Sequence, residues 1–439
     1  MSCDWEAARF GDLFALPQRN GLNRPSRVRG SGLPMVNMGE LFAHARIHDI
    51  TMDLVPFTER ESAFLLQKND LLFARQSLVL EGAGKCSIFL GHKTTVFESH
   101  LIRCRLDESK HDPLFYFYFF SSSTGKAVMR RIIEQGAGAA GIRGSDLVEL
   151  RVPCPPLTEQ TRISRVLGAL DLEAENLKSQ NAALVGIAEA MFRSWFVKFE
   201  PVTARLAALT PEGCPESIAA QFPQHLAESS LGTIPEGWSV GCLGDIAFNS
   251  RAQAQPAQIS SGTPYVGLEH VPRRSLALAS WGASDEIGSG KFRFQRNDVL
   301  FGKLRPYFHK VVLAPFAGVC STDILVVRPL EEAWLSFLTM HMFSTEFVSY
   351  TTQLSDGVRM PRTNWKDMAA YRVPLPPASL AGAFHSKVSP LLGAMLLNIE
   401  TSQTLMKLRA ALAEGLFSGK LSSADAASLA TVAEANVGV

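Results

Sequence analysis

The chain has 439 residues, 46% of them hydrophobic and 19% charged, with a formal net charge of +1 at pH 7. That length accommodates two or three domains with their own cores, and the composition excludes a disordered or low-complexity chain. The balanced charge excludes a uniformly basic protein but not a basic face, since the footprint that matters for nucleic acid is local. In chain order, Trp5, Gly11 and Asp12 come first, followed by a stretch from Pro17 to Gly32 that reads as a Gly/Pro-rich loop. It holds Arg19, Arg24, Arg27 and Arg29 and no acidic residue. Four guanidinium groups there suit phosphate or guanine contacts; the plainer reading is a solvated surface loop. Gly32-Leu33-Pro34-Met35-Val36 and Asn69-Asp70-Leu71-Leu72-Phe73 follow, then a charged turn with Arg75, Gln76 and Lys85.

The densest apolar run, Leu114 to Phe120, is far short of the roughly 18 residues a membrane span needs. Gly136-Ala137-Gly138-Ala139-Ala140-Gly141 matches the dinucleotide fingerprint in letters, but that fingerprint needs a strand before it and a helix after it. Gly125 to Gln135 reads as helix and Val148 to Val152 as extended, so the glycines read as a loop, with Arg143 just beyond.

Val152-Pro153-Cys154-Pro155-Pro156 stops this region, and a long helix is predicted from Leu157 to Phe196, about 60 Å at 1.5 Å per residue. Thr158 can cap it, and Glu159 suits the dipole in its first turn. Ile163, Leu167, Leu170, Ala174, Leu177, Asn181, Leu184, Ala188, Met191 and Trp195 recur at spacings of four and three, the seam of a coiled coil. Residues 200–234, with Pro201, Pro211, Pro215 and Pro223, read as a partly ordered linker.

The landmarks then return. Trp238, Gly244 and Asp245 repeat the first set at an offset of 233, and Gly262-Thr263-Pro264-Tyr265-Val266 the second at 230. Asn297-Asp298-Val299-Leu300-Phe301 repeats at 228, and Val373-Pro374-Leu375-Pro376-Pro377 at 221. Solenoid units repeat every 20 to 50 residues or so, so each copy here is a whole domain. The second copy adds Arg273 and Arg274, then Lys303, Arg305, His309 and Lys310 in the turn matching that of Arg75 and Lys85, then Arg359, Arg362 and Lys366. Matched positions with different side chains suit two related domains that read different base sequences; singly, each cation also fits an ordinary surface. A second helix, about Ser379 to Phe417, carries Phe384, Val388, Leu391, Met395, Leu405, Leu412 and Leu416 on its seam. Asn398, Ser402 and Arg409 interrupt that seam and would fix register. Pro390 predicts a bend or a restart capped by Ser389. The two apolar stripes match in length, so burying one against the other antiparallel would set the two domains at opposite ends of a rod. Packing each helix on its own domain is the alternative.

No His-Glu-x-x-His, Gly-x-Ser-x-Gly or phosphate-loop pattern occurs, and Gly84-Lys85 and Gly290-Lys291 lack the rest of a phosphate-binding loop. Seven cysteines without a Cys-x-x-Cys pair fit reduced thiols, and Met1 to Trp5 begins no signal peptide, so the expected compartment is the cytoplasm. The expected layout is α+β: two pseudo-repeated mixed α/β domains over 1–156 and 235–377, helices over 157–199 and 378–419, the 200–234 linker, and a flexible tail over 420–439.

Four passages together resemble the specificity subunit of type I restriction-modification systems: Asn69 to Phe73, Val152 to Gln160, Ala190-Met191-Phe192-Arg193-Ser194-Trp195-Phe196-Val197-Lys198-Phe199-Glu200-Pro201, and Leu231-Gly232-Thr233-Ile234-Pro235-Glu236-Gly237-Trp238. The resemblance spans almost the whole chain. It implies two target recognition domains, each binding half of a split, asymmetric sequence in double-stranded DNA, and two helices on which methyltransferase (modification) subunits dock. It implies too that adenine methylation and ATP-dependent cleavage belong to separate modification and restriction subunits. S-adenosylmethionine, ATP and Mg²⁺ would then sit on those partners, with no cofactor, metal or catalytic residue on this chain. Ala378-Ser379-Leu380-Ala381 departs from Leu157-Thr158-Glu159-Gln160, so the second helix is expected to start differently. Three alternatives stay open: a system with a fused methylase-nuclease partner, a chain that is itself a nuclease, and a coiled-coil scaffold that binds no DNA.

Overall fold

The computed structural model describes the chain apart from residues 1–4, 137, 208, 210–212, 287, 356, 358–359 and 430–439. Two compact units emerge, 1–173 with 404–439, and 174–403. Both divisions fall inside the two long helices, so each unit holds a sheet domain and one stretch of each helix.

The sheet of the first unit runs in the order Phe14–Asn20, Leu101–Leu106, Leu71–Ala74, Cys86–Phe89, Arg46–Ile47. Its pairings are antiparallel except the last. Leu71–Ala74 is buried at every position, as a central strand covered on both faces must be. The Asn-Asp before it makes the turn into the strand. Asn69 takes a left-handed conformation, φ 73°, which Asn tolerates better than most residues. The buried Asp70 carboxylate accepts two hydrogen bonds from Arg105, both 2.7 Å, and one from the Gln67 amide at 2.8 Å. In the second unit Asn297 has φ 69°, and Asp298 accepts from Arg328 at 2.6 and 2.8 Å and from the Gln295 amide at 2.6 Å. This landmark therefore repeats because it builds the sheet.

The second unit's sheet runs Ala247–Ser250, Ile324–Pro329, Val299–Gly302, Val311–Leu313, all antiparallel. Both units back the sheet with a pair of short helices, Pro113–Ser121 with Ser123–Arg130, and Leu335–Phe343 with Thr345–Gln353. The offset is 222, and Ser122 and Ser344 cap alike, each accepting from the amide three residues on at 3.1 Å. Pro113–Ser121 is apolar all round, with Phe115 to Phe120 buried, so it is a core helix. Fully burying each aromatic ring stabilises the unit by about 2 kcal/mol.

The first long helix is α-helical over Leu157–Phe192 and ends in a π-turn, Arg193–Val197. The second is continuous over Ala378–Phe417, so Pro390 does not restart it at Ser389. Pro390 is exposed, and the carbonyl it leaves without an amide donor belongs to the exposed Ser386, where water can serve. Within each unit the two helices run antiparallel. In the first, Asp171 meets Arg409 and Arg162 meets Ser423; in the second, Asn181 meets Asn398 and Phe192 meets Phe384. Ile163, Leu167, Leu170, Leu177, Asn181, Phe384, Val388, Met395, Leu405, Leu412 and Leu416 are buried, whereas Leu184, Met191 and Leu391 are half-buried beside buried Val185, Phe192 and Leu392. The stripe drifts by one position because 3.6 residues per turn does not keep a seven-residue repeat in place. The second helix is also the one helix among the described residues long and apolar enough to cross a membrane, with a mean hydropathy of 1.2 over its most apolar window. Its apolar side is packed in protein core, including Phe384, Val388 and Met395.

Several expected segments differ. Residues 200–234 carry two short helices, Glu200–Leu206 and Glu216–Ala219, and the strands Leu226–Ser229 and Gly232–Pro235; Pro211 lies outside the described residues. Trp238 packs on Phe196, Phe199 and Phe222, so the aromatic side chains of this stretch are what fold it onto the helix. Residues 423–429 of the expected flexible tail are helical, with Ala426 buried and Ser423 bonded to Glu159 and Arg162. Val148 and Glu149 close a helix, Gly144–Glu149, rather than opening a strand.

Candidate nucleic-acid interface

After the strand that follows each Asn-Asp turn, the chain leaves the sheet in a loop, 75–85 in the first unit and 303–310 in the second. The two loops are tied down by the same bonds. The Ala74 amide donates to Lys85 O at 2.9 Å, and the Gly302 amide to Lys310 O at 2.8 Å. Arg75 N donates to His100 O at 2.8 Å, and Lys303 N to Asp323 O at 2.9 Å. Ile142 N donates to Arg75 O at 2.9 Å, and Thr363 N to Lys303 O at 3.0 Å. Gln76 pairs with Gly141 as Leu304 does with Arg362. The residue before each closing lysine is left-handed, Gly84 at φ 72° and His309 at φ 52°.

This frame sorts the candidate cations. Lys85 and Lys310 are not free tips. Their ammonium groups donate to main-chain carbonyls, Lys85 to Phe42 O at 2.9 Å and Lys310 to Leu268 O. Burial pushes both below the usual lysine range, with Lys126 adding to the effect on Lys85 and Arg273 to that on Lys310. They lock the loop base. Arg75 and Lys303, at matched positions, are half-buried at the loop entrance, and Lys303 lies 3.9 Å from Asp323.

Around the second loop the structure gathers further candidates. The Arg273 guanidinium lies over the Phe308 ring at 3.9 Å, with Arg305 over the same ring at 6.0 Å. The Arg274 amide donates to His309 O, and the exposed Arg362 reaches Asp323 at 3.5 Å. Arg274, Arg305 and His309 are all left-handed non-glycine residues, φ 51–52°. Such strain, of order 1 kcal/mol each, concentrates where a loop's shape matters more than its stability. Arg359 lies outside the described residues.

The first unit distributes its cations differently. Arg19 is in the strand Phe14–Asn20, not in a loop, and its exposed side chain stacks on Phe64 at 5.1 Å. The strand pairs with Leu101–Leu106, which sets Arg19 opposite Arg103. Arg24 is held by Glu61, Pro56 O and Asn23 O, and Arg29 by Asp53 at 2.8 Å and Arg24 O at 3.0 Å. Arg27 is exposed between them. Arg143 is exposed and paired with Glu134 at 2.8 Å on the hairpin that braces the loop. That hairpin contains the glycine-rich motif, whose Ala137 lies outside the described residues. The strands Glu134–Gln135 and Ala140–Gly141 flank it, which is not the strand-to-helix crossing a dinucleotide needs. Among the described residues no group of three or more His, Cys, Asp or Glu converges as metal ligands.

Sequence reasoning missed the apolar loop tips, Leu78 and Val79 in the first unit and Tyr307 in the second, exposed by 90, 59 and 48%. Large side chains next to a basic turn at a repeated landmark were the available signal.

The profile of the "Type I restriction modification DNA specificity domain" matches residues 3–184. The chain is 24% identical over 387 residues to the type I restriction enzyme EcoDI specificity subunit of Escherichia coli, covering 85% of this chain and 78% of that one. It is 25% identical over 318 residues to the MjaIX specificity subunit of Methanocaldococcus jannaschii, covering 70% and 68%. The crystal structure of the type I restriction-modification S subunit from M. genitalium shares the fold, with a TM-score of 0.52 at 15% identity over 94% of this chain and 96% of that one. The matched profile stops at 184, but the loop frame and Asn-Asp turn described above recur in the second unit. Over most of its length the chain is similar to the specificity subunits of type I restriction-modification systems.

Proposed function

We propose that this chain is the DNA-recognition subunit of a type I restriction-modification complex, each unit binding one half of a bipartite, asymmetric target. The observation that carries this is the pair of loops held by identical main-chain bonds yet bearing different cations and tips: one scaffold, two readings. Arg19, Arg27, Arg75, Arg143, Arg273, Arg274, Lys303, Arg305 and Arg362 would supply phosphate and base-edge contacts. Arg24, Arg29, Lys85 and Lys310 would hold the loops that present them. The chain itself is non-catalytic in this reading. Modification and restriction subunits dock on it in the cytoplasm, and S-adenosylmethionine, ATP and Mg²⁺ belong to them.

Adenine methylation mapped across the genome of a host expressing this chain with its neighbouring methyltransferase, against the methyltransferase alone, tests the reading. A split motif that depends on this chain is expected. Identical methylation with and without the chain, in a host where both proteins are produced, would overturn it.

A further inference from the structure

Leu78 is 90% exposed, Val79 59% and Tyr307 48%. A single exposed Leu is ordinary on a protein surface. Here two adjacent apolar side chains stand at the tip of one loop, and Tyr307 stands at the tip of the matching loop, at the offset of 228 that links Val79 to it. The loops share their anchoring bonds, so both tips are carried on the same base, although the first loop is three residues longer.

The surroundings say what such a tip meets. Arg75 stands at the entrance of the first loop, and Arg143 is on the hairpin that braces it through the Gln76 to Gly141 pairing. In the second unit Tyr307 packs edge-on against Phe308 at 4.7 Å, and Arg273 covers that ring, so the tip rests on a rigid aromatic base ringed by cations. The left-handed Arg305 and His309 on either side hold the Pro306–Phe308 turn outward. Cations beside bare apolar side chains complement a surface that is anionic at its edge and apolar within. A nucleic-acid duplex is such a surface, with phosphates outside and base faces inside.

Resting on the reading of the chain as a DNA-recognition subunit, we infer that Leu78 with Val79, and Tyr307, are wedges: each unit presses an apolar tip against one base step of its half-site and partly unstacks it. Apolar wedges of this kind give up base stacking for a closer fit of protein to DNA. They give specificity through how easily a step deforms, without a hydrogen bond to any base.

The experiment uses the full chain assembled with its modification subunits and duplexes carrying its own methylated motif. 2-Aminopurine is placed at successive positions of each half-site, avoiding the methylated adenine. Binding should brighten the probe at one step per half-site. Leu78→Ser with Val79→Ser should abolish the first signal and Tyr307→Ala the second. Each should weaken motif binding about tenfold, in line with what one lost base contact of this type costs. Binding to a duplex without the motif and the dependence on salt should not change, because no cation is removed. Tyr307→Phe should retain signal and affinity. Because the altered side chains are exposed, unfolding midpoints should match the parent, which separates a lost contact from a lost fold. Variants that keep both the signal and the affinity would overturn the wedge while leaving the DNA-recognition reading intact. So would variants that lose assembly with the modification subunits and not DNA affinity, which would make the tips a protein contact. A parent complex with no preference for the motif duplex would overturn both.

Discussion

The two units are copies in their scaffold and opposites in how they join the two long helices. In the first unit the helix seam is broken by Asp171, which is buried, accepts a hydrogen bond from Tyr118 at 2.8 Å, and faces Arg409 at 3.3 Å and Arg46 at 3.8 Å. At the offset of 221 that relates the helices, Asp171 corresponds to Leu392 and Arg409 to Ala188, both buried in the apolar core of the second unit. Apolar packing holds many arrangements nearly equally well, whereas a buried carboxylate accepts only the arrangement that supplies its donors. The first unit therefore enforces register with a buried charge, whereas the second has only the neutral Asn181–Asn398 pair amid apolar packing.

Removing the charge gives the largest expected effect. Asp171→Leu leaves Arg46 and Arg409 without their carboxylate and should destabilise the chain by about 3–5 kcal/mol. Adding Arg409→Ala, which copies the pair in the second unit, should return part of that loss. Urea unfolding of both variants checks this, and an Asp171→Leu chain as stable as the parent would erase the contrast between the units.

Acid provides a second, smaller test. His341 is buried against Phe192 and Phe337, with ring centroids at 4.7 and 4.4 Å. Desolvation pushes its pKa down from 6.5 to about 3. Its counterpart at the offset of 222 in the first unit is the buried Phe119. The unfolded chain protonates this histidine below about pH 6.5 while the folded one does not, so its contribution is complete above 6.5 and falls as pH drops towards 3. The loss should reach about 2 kcal/mol at pH 5. Burial moves His309 and His385 in the same direction. His341→Phe should thus flatten part of the acid dependence, seen as a smaller fall in unfolding free energy between pH 7 and 5. An unchanged pH profile would show that His341 titrates in the fold as it does in the unfolded chain.

The smallest effects sharpen the loops. Arg75→Ala and Lys303→Ala occupy matched sites, so each should weaken DNA binding by roughly 1 kcal/mol across sequences and lower the salt slope by about one. Unequal slopes, measured by titration at several salt concentrations, would mean that the matched cations face the DNA differently.

What could be read from the sequence was whatever the fold needs twice. Asn69 with Asp70, and Asn297 with Asp298, stand out as letters because a left-handed turn and a buried carboxylate admit few substitutes. The seam of the first long helix was legible for the same reason, its side chains being tied to helical spacing. The fate of individual cations was not. Whether Lys85 points to DNA or to Phe42 O depends on a carbonyl 43 residues away in sequence, and Arg24 is tied to Glu61 by a pairing no local pattern announces. Of the two outcomes Pro390 predicts, a bend or a restart, the restart does not occur, since the carbonyl it orphans faces solvent. The Asp171 cluster escaped because Arg46, Tyr118 and Arg409 come from three separate segments.

The ties at the loop bases also bear on how such a protein can change over time. Lys85 closes its loop with nine residues after Arg75, and Lys310 closes the other with six after Lys303. Doubling the length of a loop adds only about 0.6 kcal/mol to the entropy of closing it, and here closure rests on main-chain bonds indifferent to which side chains lie between. Each loop is consequently a cassette between fixed sockets. Changes at the exposed tips, Leu78 with Val79 and Tyr307, leave the sheet, the Asn-Asp turn and the helix register untouched, so new tips can be tried without refolding the frame that presents them.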